Sequence, residues 1–137
     1  MIRFFICLIW MLLCLFRLSR TDLQSQELEN LVILLLLPCA LCTQVPLISR
    51  LAGLVLPFLL VRLYGFGDIL LLSVLGSVLG ADKLLLLFAG AACGCGIFCL
   101  GKLLLKKCGA KDTVPFAPFI SLSALFVMLE YRSALFF

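Results

Sequence analysis

The sequence predicts an all-α protein, a polytopic membrane helix bundle of about six transmembrane helices. Composition is the first reason: 65% of the 137 residues are hydrophobic and only 13% are charged, with a mean hydropathy of +1.30. Soluble domains typically carry about 45–50% apolar and about 25% charged residues. The second reason is that polar breaks divide the chain into six apolar segments. We therefore expect one membrane-embedded domain over residues 1–137, with lipid around much of it.

The six apolar segments give the predicted helices in order. They are Ile2 to Leu18, Leu31 to Cys42, Leu47 to Leu63, Ile69 to Gly80, Leu84 to Leu105 and Val114 to Leu129. The first is predicted to be a retained span, because "RLSRTD" follows it without a small-x-small cleavage site. A span takes about 20 residues. The second and fourth segments are shorter, so we expect them to tilt, to extend into flanking residues or to line a cavity.

Charge and cysteine content exclude several classes of function. The net charge of +4 is spread over loops, so nucleic-acid binding is not expected. The chain has no His, which excludes Ser-His-Asp and Cys-His catalysis and His-rich metal sites. Cys39 and Cys42 have the CxxC spacing of a zinc or redox site but lie in an apolar run without a second pair. Packing is the preferred interpretation, and no metal or cofactor is expected.

The distribution of basic residues predicts the orientation. With six spans, the odd-numbered loops share one side, which carries seven basic residues against four on the other side. The seven are Arg17, Arg20, Arg62, Lys102, Lys106, Lys107 and Lys111, and the four are Arg3, Arg50, Lys83 and Arg132. The positive-inside rule then places the odd loops in the cytoplasm. Asp22 in the first loop and Asp68 in the third share a membrane face whichever way the chain is inserted.

Asp22 and Asp68 are therefore candidates for a catalytic pair, since ionisable groups near membrane depth usually have a partner or a function. Each also has a structural alternative. Asp68 can cap the helix that follows it, and Asp22 ends "SRTD", a [ST]-x-x-[DE] sequence that can form a capping box. Gly65 and Gly67 stand just before Asp68. A Gly-x-Gly sequence permits unusual backbone torsions and the close approach of another backbone, such as an extended peptide.

Three regions resemble the type IV prepilin peptidase family, membrane aspartic proteases that share a GxGD motif. "GFGD", Gly65 to Asp68, stands where the family has its Gly-x-Gly-Asp. "TDLQSQELEN", Thr21 to Asn30, resembles the first aspartate loop of the family. "VPFAPFISLSAL", Val114 to Leu125, resembles the segment that opens the last helix. Order and spacing also agree, so the resemblance covers nearly the whole chain.

The resemblance implies an aspartic endopeptidase, a hydrolase of the bacterial-type plasma membrane that acts at the cytoplasmic face. Its substrate would be a prepilin or pilin-like protein of a type IV pilus or secretion system, cut just after a Gly that ends a short basic leader. Asp22 and Asp68 would be the catalytic residues. The residues that would bind substrate or shape the site are Gly65, Gly67, Pro115 and Pro118.

Departures from the family pattern leave alternatives open. Leu70 replaces a Lys, Gln24 and Gln26 replace Arg residues, and Glu29 replaces a Pro. These changes remove positive charge near the site, so one alternative is a weakly active or inactive member that serves as a membrane scaffold in pilus or secretion assembly. The zinc-binding domain of longer members is not expected, which leaves methyltransferase activity open. Another alternative is a small transporter or channel subunit with Asp68 as an ion site.

Overall fold

A computed structural model describes residues 2–25, 30–60, 62–105 and 114–136 of the protein. Within these ranges every regular element is a helix. The elements are α1 (Ile2–Ser25), α2 (Asn30–Leu34), α3 (Pro38–Cys42), α4 (Leu47–Val55), a 3₁₀ turn (Leu56–Leu60), α5 (Phe66–Leu79), α6 (Ala81–Leu104), α7 (Ala117–Glu130) and α8 (Arg132–Phe136). The predicted all-α class is confirmed.

Two of the described helices are long and apolar enough to cross a membrane, namely Ile2–Gln24 and Ala81–Leu104. Only 33% and 17% of their apolar windows are buried, whereas the core helix of a soluble protein is mostly buried. The other predicted segments contain shorter apolar helices of 10–17 residues: Asn30–Cys42, Leu47–Leu60, Phe66–Leu79 and Ala117–Glu130. Six spans therefore remain a prediction.

Prolines divide the second and third segments. In the second, α2 ends at Leu34, and Pro38 is the first residue of α3, a position where a missing N–H costs nothing. In the third, α4 ends at Val55, and Pro57 lies in the 3₁₀ turn that follows. A proline inside an α-helix removes one hydrogen bond and clashes with the preceding turn. Hydrophobicity alone does not reveal these breaks.

Two helix boundaries differ from the sequence prediction. α1 continues to Ser25 instead of ending at Leu18, because the polar stretch after Leu18 contains neither Gly nor Pro to stop a helix. Asp22 thus lies in the last turn of α1 and not in a loop, so the capping-box interpretation is wrong. α5 begins at Phe66 instead of Ile69. Asp68 consequently lies inside the first turn of α5.

Helix α5 is the centre of the fold. Its residues from Ile69 to Leu79 are all buried except the half-buried Leu70, and α5 packs against α4, α6, α7 and the α2–α3 pair. Gly53 of α4 and Gly76 of α5 lie backbone against backbone, so a Cβ at either would collide with the carbonyl of the other. Gly80, with φ 91°, makes the sharp turn from α5 into α6, a conformation that favours glycine.

Several residues used in the sequence predictions lie outside the described part of the chain. They are Gln26, Glu29, Lys106, Lys107 and Lys111. The orientation inferred from the basic residues stays a prediction.

Candidate active site

Asp22 is held at the junction of α1 and α7. Its side chain is buried, with 5% of its surface exposed. The backbone N–H of Ala117, the first residue of α7, donates a hydrogen bond of 3.1 Å to Asp22 Oδ2. The N-cap residue Phe116 supplies no side-chain cap of its own. Asp22 therefore satisfies one of the free N–H groups of α7 from another helix, at the end where the helix dipole favours negative charge.

A second contact fixes the same junction one turn away. Ser19 Oγ donates to Ser121 Oγ at 3.0 Å, and Ser121 Oγ donates to the Ala117 carbonyl at 2.7 Å. Two hydrogen bonds, one from Ala117 to Asp22 and one from Ser19 to Ser121, thus join the end of α1 to the start of α7. This restricts the position of the Asp22 carboxylate.

Asp68 is the third residue of α5, and Gly65 is the N-cap. In the described part of the chain its carboxylate has no hydrogen-bond partner, so the prediction that Asp68 caps the helix is not confirmed. A Cβ added to Gly65 would lie 3.9 Å from Asp68 Oδ2, which places the carboxylate directly beside that glycine. A negative charge in the first turn still interacts favourably with the helix dipole.

Asp22 and Asp68 lie on neighbouring parts of the fold although they are far apart in sequence, because Asp22 contacts Ala117 and the adjoining Phe116 lines the same cleft as Asp68. Asp68 comes just before Ile69, where the predicted fourth membrane segment begins. Burial raises the pKa of the Asp68 carboxyl group to about 6, and the negative charge of Asp22 is the second cause of the increase. Burial and a like charge both disfavour the ionised form. The pair can therefore retain a proton at a pH where isolated carboxylates have lost theirs. Acid–base catalysis by two aspartates requires one protonated carboxyl group beside an ionised one.

Asp68 opens onto a cleft of about 530 Å³, a size typical of ligand sites, which measure about 300–1,000 Å³. The loop before α5 forms one wall, α6 forms the second and the segment leading into α7 forms the third. Lining residues include Gly65, Ala92, Cys95, Gly96, Cys99 and Phe116. Asp22 is not among the residues that line it. A ligand in the cleft therefore meets Asp68 first.

Tyr64 connects the three walls of this cleft. Its ring packs edge-on against Phe88 of α6 at a centroid distance of 5.6 Å. It also stacks on Phe116 at 5.7 Å, with 27° between the ring planes. The residue immediately before the Gly-x-Gly-Asp sequence is thus tied to both neighbouring walls. Sequence reasoning overlooked Tyr64, because aromatic contacts between distant residues have no fixed spacing.

Of the four residues predicted to bind substrate or shape the site, only Gly65 lines the cleft. Gly65 lines the cleft, but its φ of −65° and ψ of 148° are open to any residue, so the argument from unusual torsions is wrong there. Gly67 lies within the first turn of α5. Pro115 precedes α7, and Pro118 is its second residue. Neither proline lines the cleft. Pro118 instead occupies a helix start, where its missing N–H is tolerated.

Two further observations concern the chemistry of the site. Leu70, which replaces the Lys of the family pattern, packs against the hydrophobic core and is absent from the cleft lining. In the described ranges, no group of three or more Cys, Asp or Glu side chains is arranged to hold a metal ion. The ionisable groups in the described lining of the cleft are the Asp68 carboxylate, the Tyr64 phenol and the Cys95 and Cys99 thiols.

The sequence also matches a known family. The sequence profile of the type IV leader peptidase family matches residues 5–100. This range contains both Asp22 and Asp68, whereas the "PFAPF" segment lies beyond it. Searches of curated proteins and of solved structures gave no significant match. Because the match covers more than half of the chain, the protein belongs to the type IV leader peptidase family.

Proposed function

We propose that the protein is an aspartic endopeptidase that removes the leader peptide of a prepilin or pilin-like protein at the cytoplasmic membrane face. Family membership indicates a leader peptidase-like protease. The observation that carries the aspartic mechanism is that Asp22 and Asp68 both lie beside the segment leading into α7, where the charge of Asp22 also helps to raise the pKa of Asp68. No cofactor is needed for this chemistry.

The proposed reaction is hydrolysis with a shared proton. One carboxylate takes a proton from a water molecule, whose oxygen attacks the scissile carbonyl carbon. The partner carboxyl group holds the other proton and polarises the carbonyl oxygen. Collapse of the tetrahedral intermediate breaks the C–N bond and delivers a proton to the leaving amine. We assign these steps to the Asp22–Asp68 pair and not to individual residues, because interacting carboxylates titrate as a unit.

A membrane location agrees with the exposed apolar surface of α1 and α6. Both helices are long enough to span a bilayer and mostly exposed in the isolated chain, and a lipid environment would cover that surface. Asp22 lies near the C-terminal end of α1 and Asp68 near the N-terminal end of α5. We place this end of the bundle at the cytoplasmic face of a bacterial-type plasma membrane, as the distribution of basic residues predicts.

Leu70, one of the substitutions that motivate the scaffold alternative, lies away from the described lining of the cleft. Had this residue lined the cleft, the change from Lys to Leu would have removed a charge that a substrate meets. Leu70 instead packs on the core. The substitution therefore leaves the described lining of the cleft intact.

Co-expression with a candidate prepilin tests the proposal. Wild type should convert the precursor to a shorter mature form, whereas Asp22→Asn and Asp68→Asn should leave it uncut. Asp82→Asn is a matched control, because Asp82 is a first-turn carboxylate of α6 that does not line the cleft, and it should cleave like wild type. Undiminished leader removal by either of the first two variants would overturn the catalytic assignment.

A further inference from the structure

We infer that the substrate peptide crosses α6 over Gly96 and that Gly96 sets the size limit for the segment beside Asp68. This inference rests on the proposed function and extends it to a residue that determines specificity. Gly96 and Asp68 line the same cleft. Gly96 contributes only backbone to that wall, so a bound peptide can approach the helix more closely there than at any residue with a Cβ.

No described residue occupies the space above Gly96. A Cβ built on Gly96 meets no atom within 4 Å in the described part of the chain. Ala92, one turn earlier on the same face, also lines the cleft with a small side chain. Residues four apart in a helix lie one above the other. The α6 wall opposite Asp68 is thus shallow over two successive turns.

The other glycines in the middle of α6 have a different explanation. A Cβ at Gly90 would lie 2.5 Å from Ser123 Oγ, and one at Gly94 would lie 3.2 Å from the Phe119 ring. Both glycines make room for α7. Gly96 has no such neighbour among the described residues, although a mid-helix glycine destabilises a helix relative to alanine. Gly101 also has no described neighbour, but of the two only Gly96 lines the cleft, which is why we assign Gly96 to the ligand.

The lining also restricts the chemistry of the peptide. Asp68 is the one carboxylate in the described wall of the cleft, and most of the other groups are apolar. Burying an unpaired charge against such a wall is costly. We therefore expect an extended peptide with small, uncharged side chains to cross Gly96, which brings a backbone carbonyl towards Asp68.

Enlarging residue 96 tests the inference. We expect Gly96→Ala to reduce cleavage and Gly96→Leu to reduce it further, by about tenfold or more, since each added carbon fills space that the peptide needs. The matched control is Gly101→Leu. Gly101 lies on the same helix, and a Cβ added there would also meet no described atom within 4 Å, but Gly101 does not line the cleft. Gly101→Leu should cleave like wild type, and thermal unfolding in detergent should show both leucine variants folded.

A labelling experiment separates binding from catalysis. Cys95 and Cys99 line the cleft, whereas the exposed Cys93 on the same helix does not. Added prepilin should slow alkylation of Cys95 and Cys99 by a maleimide, read by mass spectrometry, and leave Cys93 unaffected. Protection without cleavage by wild type would refute the proposed function and retain this binding site. Equal cleavage by Gly96→Leu and wild type, or no protection of Cys95 and Cys99, would overturn the inference.

Discussion

The backbone N–H of Ala117 donates a 3.1 Å hydrogen bond to Asp22 Oδ2, so the carboxylate proposed for catalysis also caps α7. The same side chain thereby fixes the segment that forms the third wall of the cleft. Replacing Asp22 by Asn separates its role as a helix cap from its proposed role in catalysis. An amide oxygen can accept the hydrogen bond but cannot act as a carboxylate base.

We predict that Asp22→Asn and Asp22→Ala both abolish leader removal but differ in stability. Asn retains an acceptor for the Ala117 N–H, whereas Ala leaves that donor unpaired. Loss of an N-cap typically costs about 0.5–2 kcal/mol, so Asp22→Ala should unfold at a lower temperature than Asp22→Asn. Gel mobility of the prepilin and thermal unfolding in detergent measure the two effects. Full cleavage by Asp22→Asn would show that Asp22 is a cap and nothing more.

The pH dependence follows from the raised pKa of Asp68, about 6. The active pair holds one proton, so cleavage should fall as pH rises above about 6, and again at low pH when both carboxylates are protonated. Asp22→Asn removes the nearby negative charge and should lower the pKa of Asp68. A carbon-13 NMR titration of the Asp68 carboxyl measures this shift, with Asp82→Asn as the control. An unchanged Asp68 titration in Asp22→Asn would contradict the proximity of the pair.

The contact between Gly53 and Gly76 should be intolerant of a methyl group. An alanine at either position places its Cβ against the carbonyl of the other, and overpacking typically costs about 1–3 kcal/mol. Gly53→Ala and Gly76→Ala should each lower the unfolding temperature. Gly101→Ala adds a methyl group that meets no described atom within 4 Å and should be neutral or slightly stabilising. Equal stability of Gly76→Ala and Gly101→Ala would show that α4 and α5 do not touch in this way.

Tyr64 should act as a positioning residue through its ring. Tyr64→Phe keeps both aromatic contacts and should cleave at nearly the wild-type rate. Tyr64→Ala loses them, at about 0.5–1.5 kcal/mol for each pair, and frees the loop that precedes Asp68. We expect a lower kcat because the carboxylate is less well positioned, with little change in KM. Similar kcat values for the alanine and phenylalanine variants would exclude this role.

The sequence determined the fold class and the approximate positions of the helices. Lipid-like composition and polar breaks suffice for that, because a segment's apolar character is a local property. Boundaries were less accurate. α1 extends to Ser25 and includes Asp22, which the sequence had placed in a loop. Part of the predicted third helix is a 3₁₀ turn that contains Pro57.

The sequence also singled out Asp22 and Asp68, because charge is rare in so apolar a chain and a family motif surrounds each residue. Only the tertiary structure decided what surrounds these acids. It placed Ala117 against Asp22 and Tyr64 between two phenylalanines, and it left no described residue above Gly96. These relationships depend on how α1, α5, α6 and α7 pack. Charges and motifs can be identified from consecutive residues in the sequence. A cap between helices, an aromatic contact or a cleft involves residues far apart in sequence, which only folding brings together.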